Sequence, residues 1–258
     1  MQDRQKNRAL YFKELAVTSA RYFLPYITGF KAVTARMNVL EIGCGDGGNL
    51  LPFSEMGCRT LGVDISEGRI KDAVRFFAER GAEGRFIGAD IFATRLDDKF
   101  DIILCHDIFE HIERKSEFLS NLGGYLHEDG IIFISFPAWQ MPFGGHQQIC
   151  RSRFISRLPF IHLLPEALYK SILKAGEESE GCIKELLQIK RTRSSIELFE
   201  KLAGREKLKI INRELYFINP HYEVKFGLKP RKLNRFVARI PYVRDFLTTS
   251  CFYILKPG

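Results

Sequence analysis

No two cysteines in this 258-residue chain are close enough in sequence to form a metal knuckle or a redox dithiol. The six, at positions 44, 58, 105, 150, 182 and 251, are never nearer than 14 residues, whereas zinc ribbons and thioredoxin-like motifs need CxxC-type spacing. Cysteines in apolar or glycine-rich stretches behave as small hydrophobes, so reduced thiols of a cytosolic protein are expected. Also missing is any apolar run near the roughly 18 uncharged residues that span a bilayer. The opening stretch MQDRQKNRALYFKELA is polar and mixed in charge, without the apolar core of a secretory signal. The expected location is therefore the cytoplasm. Internal repeats and low-complexity segments are absent too. With 45% apolar and 27% charged residues, the composition excludes a disordered tail, a collagen-like chain and a small disulfide scaffold. The length suits one large domain, or a core domain with an elaborated insertion.

The charge is uneven. Residues 1–150 carry 17 Lys and Arg against 20 Asp and Glu, whereas residues 151–258 carry 22 against 11. The two parts therefore have net charges of −3 and +11 within the formal total of +8. A basic half suits nucleic acid, an anionic lipid surface or an anionic substrate, and equally an ordinary solvated surface.

Residues 8–29 predict one or two helices, broken near Pro25 and stopped at Gly29, with Tyr22, Phe23 and Tyr26 giving an aromatic face. An alternation follows. Strands are expected at 38–43, 59–66, 85–90, 100–107 and 130–136. Helices are expected at 47–57, 67–80 and 114–127, with Pro52 in an early turn, Ser66 as an N-cap, and Gly57 and Gly81 as stops. The strands are near-continuous apolar runs, as when helices cover both faces of a parallel sheet. This predicts an α/β, doubly wound, Rossmann-like sheet. After Phe136 the alternation stops. Residues 137–149 read as a loop, 151–206 as helices, and 208–218 and 249–257 as two last strands, completing seven. The chain thus divides into an N-terminal helical cap (1–34), a core (35–136), a lid insertion between strands five and six (137–206) and a closing pair of strands (207–258).

The informative stretch is VLEIGCGDGGNL at 39–50. Glycines at a strand–helix junction let the backbone turn tightly and approach a ligand. Nineteen residues after Gly45, at the end of the second strand, Asp64 is placed to accept both hydroxyls of a ribose. A pyrophosphate at the turn would meet Glu41 and Asp46, which repel it. A cofactor with positive charge and no phosphate suits those carboxylates better, and S-adenosylmethionine is such a molecule.

Glu41-Ile42-Gly43-Cys44-Gly45-Asp46-Gly47 resembles the glycine signature of class I S-adenosylmethionine-dependent methyltransferases. Asp64, followed by Ile65, matches that family's ribose-binding acid. Asp90 matches the acid near the adenine amino group, with Ile91 beside the ring. FDIILCHDIFEHI at 100–112 resembles the fourth-strand segment of the branch that includes the ubiquinone and menaquinone methyltransferases, Phe109-Glu110-His111 standing where a Leu-Glu-His-like triplet is common. The resemblance spans about residues 35–136. It implies cofactor contacts from Glu41, Gly43, Cys44, Gly45, Asp64, Ile65, Asp90 and Ile91, and S-adenosyl-L-homocysteine as product.

Around this core several side chains invite roles. His106 either faces the cofactor's methionine end or is a strand-end histidine satisfied by backbone. His111 reads as structural or substrate-touching. PFGGHQQ at 142–148 follows the fifth strand, so it belongs at the mouth of the site. Gly144 and Gly145 are expected to make that loop flexible, and His146, with an ordinary pKa near 6.5, is the candidate base. In relatives of this type a helix before the first strand commonly folds over the cofactor. Arg21 is then expected to pair with the cofactor carboxylate, and Tyr22 or Tyr26 to close the methionine pocket. Phe154, Leu158, Phe160, Ile161, Leu163 and Leu164 are expected in a lid core. No committed metal site is expected. The leading reading is methyl transfer to a small-molecule or lipid- or sugar-linked acceptor, with peripheral membrane contact allowed. The alternatives are a transfer RNA or other nucleic-acid methyltransferase, for which no RNA-binding module is recognisable, and a non-catalytic cofactor-binding scaffold. A dehydrogenase is disfavoured by Glu41 and by the lack of a Tyr-x-x-x-Lys constellation.

Overall fold

A computed structural model describes residues 7–258. Among these residues eight strands form one sheet: β1 (Asn38–Ile42), β2 (Arg59–Asp64), β3 (Arg85–Gly88), β4 (Phe100–His106), β5 (Leu126–Phe136), β6 (Leu208–Ile218), β7 (Arg231–Lys232) and β8 (Ser250–Pro257). Their order is β3-β2-β1-β4-β5-β8-β6-β7. The five strands from β3 to β5 are parallel, and β8 lies antiparallel between β5 and β6. The seven strands expected are present, and the eighth is a two-residue edge strand hydrogen-bonded to the end of β6.

Alternation along β4 and β5 distributes the apolar side chains over two layers. On one face Ile103, Cys105, Ile132 and Ile134 pack with α5 (Lys115–Tyr125) and α8 (Ile196–Arg205), through Phe118, Leu122 and Phe199. On the other, Ile102, Leu104, Ile131 and Phe133 meet Phe12 of α1 (Arg8–Thr18), Phe23, Ile27 of α2 (Leu24–Thr28) and Phe76 of α4 (Glu67–Glu79). Between β1 and β2 lies the short α3 (Leu51–Glu55), and Ser66 caps α4 by accepting from the Arg69 amide at 3.4 Å. Between α1 and α2 the helix widens into a π turn at Ser19–Phe23. Pro25 explains it: proline has no N–H for the turn before it, and its ring crowds that turn's carbonyl.

Between β5 and β6 lie α6 (Glu166–Ala175), α7 (Glu180–Thr192) and α8. The first two, with the loop before them, form a third apolar cluster around Tyr169, Leu173 and Leu186. Ile161 belongs to it, and Leu158 and Leu164 pack against it, but Phe154 is 74% exposed and Phe160 is 39% exposed. Those two phenylalanines therefore fall outside the lid core expected from sequence. The β6–β8 connection contains α9 (His221–Phe226) and α10 (Val243–Phe246). No helix among the described residues is long and apolar enough to cross a membrane.

Candidate active site

Parallel pairing brings the carboxyl ends of β1, β2 and β3 level, with Ile42 opposite Val63 and Asp64 opposite Gly88. After β1 the backbone turns through Gly43, Gly45 and Gly47, with φ of 73°, 53° and 83°. These values favour glycine. Gly48 serves a different need, because a Cβ there would lie 2.6 Å from the Phe12 carbonyl oxygen, and the missing side chain lets α1 pack on the turn. The amide of Gly45 donates to Asp64 Oδ2 at 2.9 Å, and that of Ser66 to Asp64 Oδ1 at 2.8 Å. Motif turn and strand-end acid are thus joined directly. Each Asp64 oxygen keeps lone-pair capacity for a further donor.

Ile65 stands 75% exposed beside this acid. Asp90 is exposed and accepts from the Phe92 amide at 2.9 Å. Ile91, in contrast, is 8% exposed and belongs to the apolar core. Cys44 is likewise buried, its Sγ 2.7 Å from where a Cβ on Gly62 would sit, and its thiol pKa is raised by burial. Glu41 is enclosed completely. Asn49 donates to its Oε1 at 2.7 Å, its Oε2 has no partner, and burial pushes its pKa up to about 8. At neutral pH this carboxyl therefore mostly keeps its proton and adds little charge at the turn. Asp46 and Asp64 around one turn suit a cationic, phosphate-free ligand and repel a pyrophosphate, so the residues present fit S-adenosylmethionine.

A cavity of about 420 Å³ opens at the carboxyl ends of β4 and β5. Its walls come from α1 (Arg8, Tyr11), α4 (Arg69), the segment after β4 (Asp107, Glu110, His111), the loop after β5 (Met141, Phe143, His146), α7 (Glu185) and α9 (His221, Tyr222, Phe226). A larger groove of about 940 Å³ lies at the opposite edge, around Arg36, Arg59 and Arg85 at the strand beginnings. That groove is remote from the glycine turn, whereas the smaller cavity borders the turn through Arg8, which pairs with Asp46, and Arg69, which lies against Gly45.

Inside that cavity Glu110 is 3% exposed, and neither carboxylate oxygen has a hydrogen-bond partner. Burial raises its pKa well above the usual carboxylate range, and the nearby charge of Asp107 adds to this. His146 Nε2 lies 3.9 Å from Glu110 Oε1, and the His146 ring centroid is 5.4 Å from that of His111. Burial, with the neighbouring imidazoles of His111 and His162, lowers His146 to about 3. His146 is therefore neutral at physiological pH and a weaker base than its ordinary value promised. Burial also lowers the pKa of His111.

Three sequence expectations are corrected. His106 does not line the cavity. It follows Ile102 and Leu104 on the α1 side of the sheet, where its Nδ1 lies 2.6 Å from Ser135 Oγ and its ring 4.7 Å from that of Phe23. Arg21 is exposed and outside the cavity, while Tyr22 packs against the apolar layer around Phe23. The Tyr26 hydroxyl is also occupied elsewhere, accepting from Asn212 and donating to the Phe252 carbonyl. The helical segment that meets the site lies about three turns earlier: α1 presents Arg8 and Tyr11 to the site, and Arg8 ion-pairs with Asp46 at 2.8 Å. Arg69 lies against the glycine turn, 3.2 Å from a Cβ built on Gly45. Third, the loop after β5 is packed. A Cβ on Gly144 would sit 2.1 Å from the Trp139 carbonyl oxygen, and one on Gly145 2.2 Å from His162 Cβ. Those glycines serve close approach, not flexibility.

Arg8, Tyr11, Arg69, His221 and Tyr222 were not found from sequence. Glu110 and His111 carried a signal there through their triplet, and His146 through its loop. Outside the site, Cys150, Glu178 and Cys182, between β5 and β6, bring ligand-type atoms within 4.8 Å of one another. The Glu178 oxygens there accept the Arg151 and Ser152 amides.

Sheet order, glycine turn and strand-end acids define the class I methyltransferase architecture. Comparisons agree: residues 40–134 match the family model described as a methyltransferase domain. The ubiquinone biosynthesis O-methyltransferase of Rickettsia felis is 25% identical over 114 residues, 44% of this chain and 47% of that protein. Its counterpart in Rickettsia canadensis is also 25% identical, over 44% and 48%. The chain thus spans about half the length of the curated relatives it matches. In fold it is similar to a TehB-like S-adenosylmethionine-dependent methyltransferase from Corynebacterium glutamicum, at TM-score 0.56 and 16% identity over 98% of this chain and 97% of the other. Magnesium protoporphyrin IX methyltransferase from Synechocystis, solved with S-adenosylhomocysteine, gives 0.56 and 15% over 100% and 88%. Residues 40–134 thus match a methyltransferase domain, within a chain whose fold is that of S-adenosylmethionine-dependent methyltransferases.

Proposed function

We propose that the chain methylates a hydroxyl group on a small organic acceptor held in the 420 Å³ cavity. The observation that carries this reading is Glu110, a buried carboxylate with both oxygens unpartnered, in a cavity beside the glycine turn. An unpaired buried carboxylate is costly to maintain, and an acceptor hydroxyl would satisfy it. When bound, S-adenosylmethionine supplies an electrophilic methyl on a sulfonium. Asp64 holds the ribose hydroxyls, Ile65 and Asp90 flank the adenine, and Gly43 and Gly45 give the close approach. Arg8 and Arg69 are the cations nearest the turn and take the cofactor carboxylate, the part assigned to Arg21 from sequence.

Glu110 accepts the acceptor's proton, because it is the carboxylate that faces the cavity with neither oxygen engaged by another donor. His146, neutral and 3.9 Å away, positions that carboxylate or the hydroxyl. Alignment of acceptor and methyl contributes the larger part of the rate. Met141, Phe143, Tyr222 and Phe226 give the cavity an apolar wall suited to a ring or an isoprenoid-like tail. The name of the Rickettsia relatives supports oxygen as the methylated atom. Residues 137–206 serve as the lid that selects the acceptor, and the location that goes with this reading is the cytoplasm.

The test is transfer of labelled methyl from S-adenosylmethionine to separate pools of phenolic, lipid-linked, sugar-acid and transfer RNA acceptors. The expected result is label on phenolic or lipid-linked hydroxyls, and Glu110→Gln lowering kcat on the order of 10²–10⁴-fold. Label on transfer RNA alone, or a Glu110→Gln enzyme with unchanged kcat and pH profile, overturns the reading.

A further inference from the structure

The β6–β8 connection, residues 219–249, arranges its side chains opposite to an ordinary surface segment. Its charged side chains near α10 face inward. Arg244 is 6% exposed and pairs with Glu197 and Glu200 of α8, both at 3.0 Å. Asp245 is fully buried and accepts from the Ile196 amide at 2.8 Å. The apolar side chains face out: Phe236 is 72% exposed, Tyr242 66%, and Ile240, Val243, Phe246 and Leu247 each at least 39%. Single exposed apolar residues are normal on a soluble surface, but six within residues 236–247 form a patch that calls for a partner. The buried ion pairs anchor the segment, so this exposure is not that of a loose end.

Charge adds a second observation. Between Glu223 and Asp245 the sequence contains no acidic residue. Lys229, Arg231, Lys232, Arg235 and Arg239 are all exposed there, and of these Lys232 pairs with Glu214. Strand β7 pairs with the carboxyl end of β6, which runs parallel to β5, so this stretch lies at the same strand ends as the cavity. Phe226, 49% exposed, belongs to both the connection and the cavity wall.

We infer that residues 226–247 dock the protein on an anionic lipid bilayer. Apolar side chains of such a segment enter the boundary between headgroups and acyl chains, while the flanking cations meet lipid phosphates. Nucleic acid would engage the cations but leave Ile240, Val243 and Leu247 nothing to bury against. Docking at the cavity edge gives a bilayer-dissolved acceptor a short path to Glu110. That last consequence rests on the proposed methyl transfer, whereas the docking does not.

Sedimentation of the full chain with vesicles tests it, using phosphatidylcholine alone and a phosphatidylcholine–phosphatidylglycerol mixture. Binding to the mixture, weakened by salt and absent with phosphatidylcholine alone, is expected. Combined Phe236→Ser, Tyr242→Ser and Phe246→Ser, and separately Arg235→Glu with Arg239→Glu, each lower partitioning at least about tenfold. Both variants keep wild-type S-adenosylhomocysteine affinity and cooperative melting. Docking is overturned by a wild type that binds neither vesicle, or by variants that bind as wild type. It is also overturned by a wild-type dimer that the serine variant dissociates, or by RNA oligonucleotide retention in place of vesicle binding. Loss of vesicle binding with intact homocysteine-product binding leaves the methyltransferase reading standing, so the two fail separately.

Discussion

Replacing Glu41 by glutamine isolates one buried charge at the foot of the glycine turn. The folded protein holds this carboxyl's proton up to about pH 8, against 4.5 for the free group. Between those values the folded state binds a proton that the unfolded state has released. Stability from this group is therefore fully present below pH 4.5 and is lost as pH rises toward 8. At about 1.4 kcal/mol per unit, the 3.5 units give a ceiling of about 5 kcal/mol. Glutamine keeps the oxygen that accepts from Asn49 but places N–H donors where Oε2 had no partner. That costs roughly 1–3 kcal/mol at every pH. The variant should thus be the weaker protein at pH 5 and equal to or stronger than wild type at pH 8. Urea unfolding of both proteins at the two pH values, at constant ionic strength, measures the difference, and other titrating groups cancel between them. Stability curves that stay parallel from pH 5 to 8 would refute the reasoning.

Asp64→Ala removes the proposed ribose acceptor and should weaken S-adenosylhomocysteine binding by about 2–4 kcal/mol in isothermal titration. Unchanged affinity would remove Asp64 from the cofactor site. Arg8→Ala and Arg69→Ala should each weaken the same binding by about 1.5–3 kcal/mol if they hold the cofactor carboxylate. Arg21→Ala, exposed and outside the cavity, should bind like wild type, and the reverse pattern would restore Arg21. Gly145→Ala forces a methyl to 2.2 Å from His162 Cβ. It should lower unfolding stability by about 1–3 kcal/mol, and a wild-type melting temperature would show the loop to be soft after all.

The core was legible because each of its signals is local. A glycine-rich turn after an apolar strand, an acid nineteen residues beyond Gly45, and a serine before α4 act through backbone conformation and neighbouring amides. The His146 loop was placed correctly at the mouth because it directly follows β5. Its rigidity was not legible, since the partners that make Gly144 and Gly145 necessary are Trp139 and His162, and the latter lies seventeen residues beyond Gly145. For the same reason the pKa of His146 could not be read from its residue type, because burial sets it.

The N-terminal helices show the division most clearly. Sequence by itself determined that residues 8–29 form helix, that the glycine turn follows β1, and that Asp64 ends β2, because propensity, periodicity and turn chemistry act over a few residues. Which helix face meets the turn was decided only in three dimensions. Gly48 lets Phe12 approach, and that docking turns Arg8 and Tyr11 toward the cavity while Arg21 stays outside. Glu110 likewise owes its unpartnered, raised-pKa state to a cavity whose walls come from α1, the loop after β5, α7 and α9. Such properties depend on desolvation and on neighbours far apart in the chain, and no local pattern encodes either.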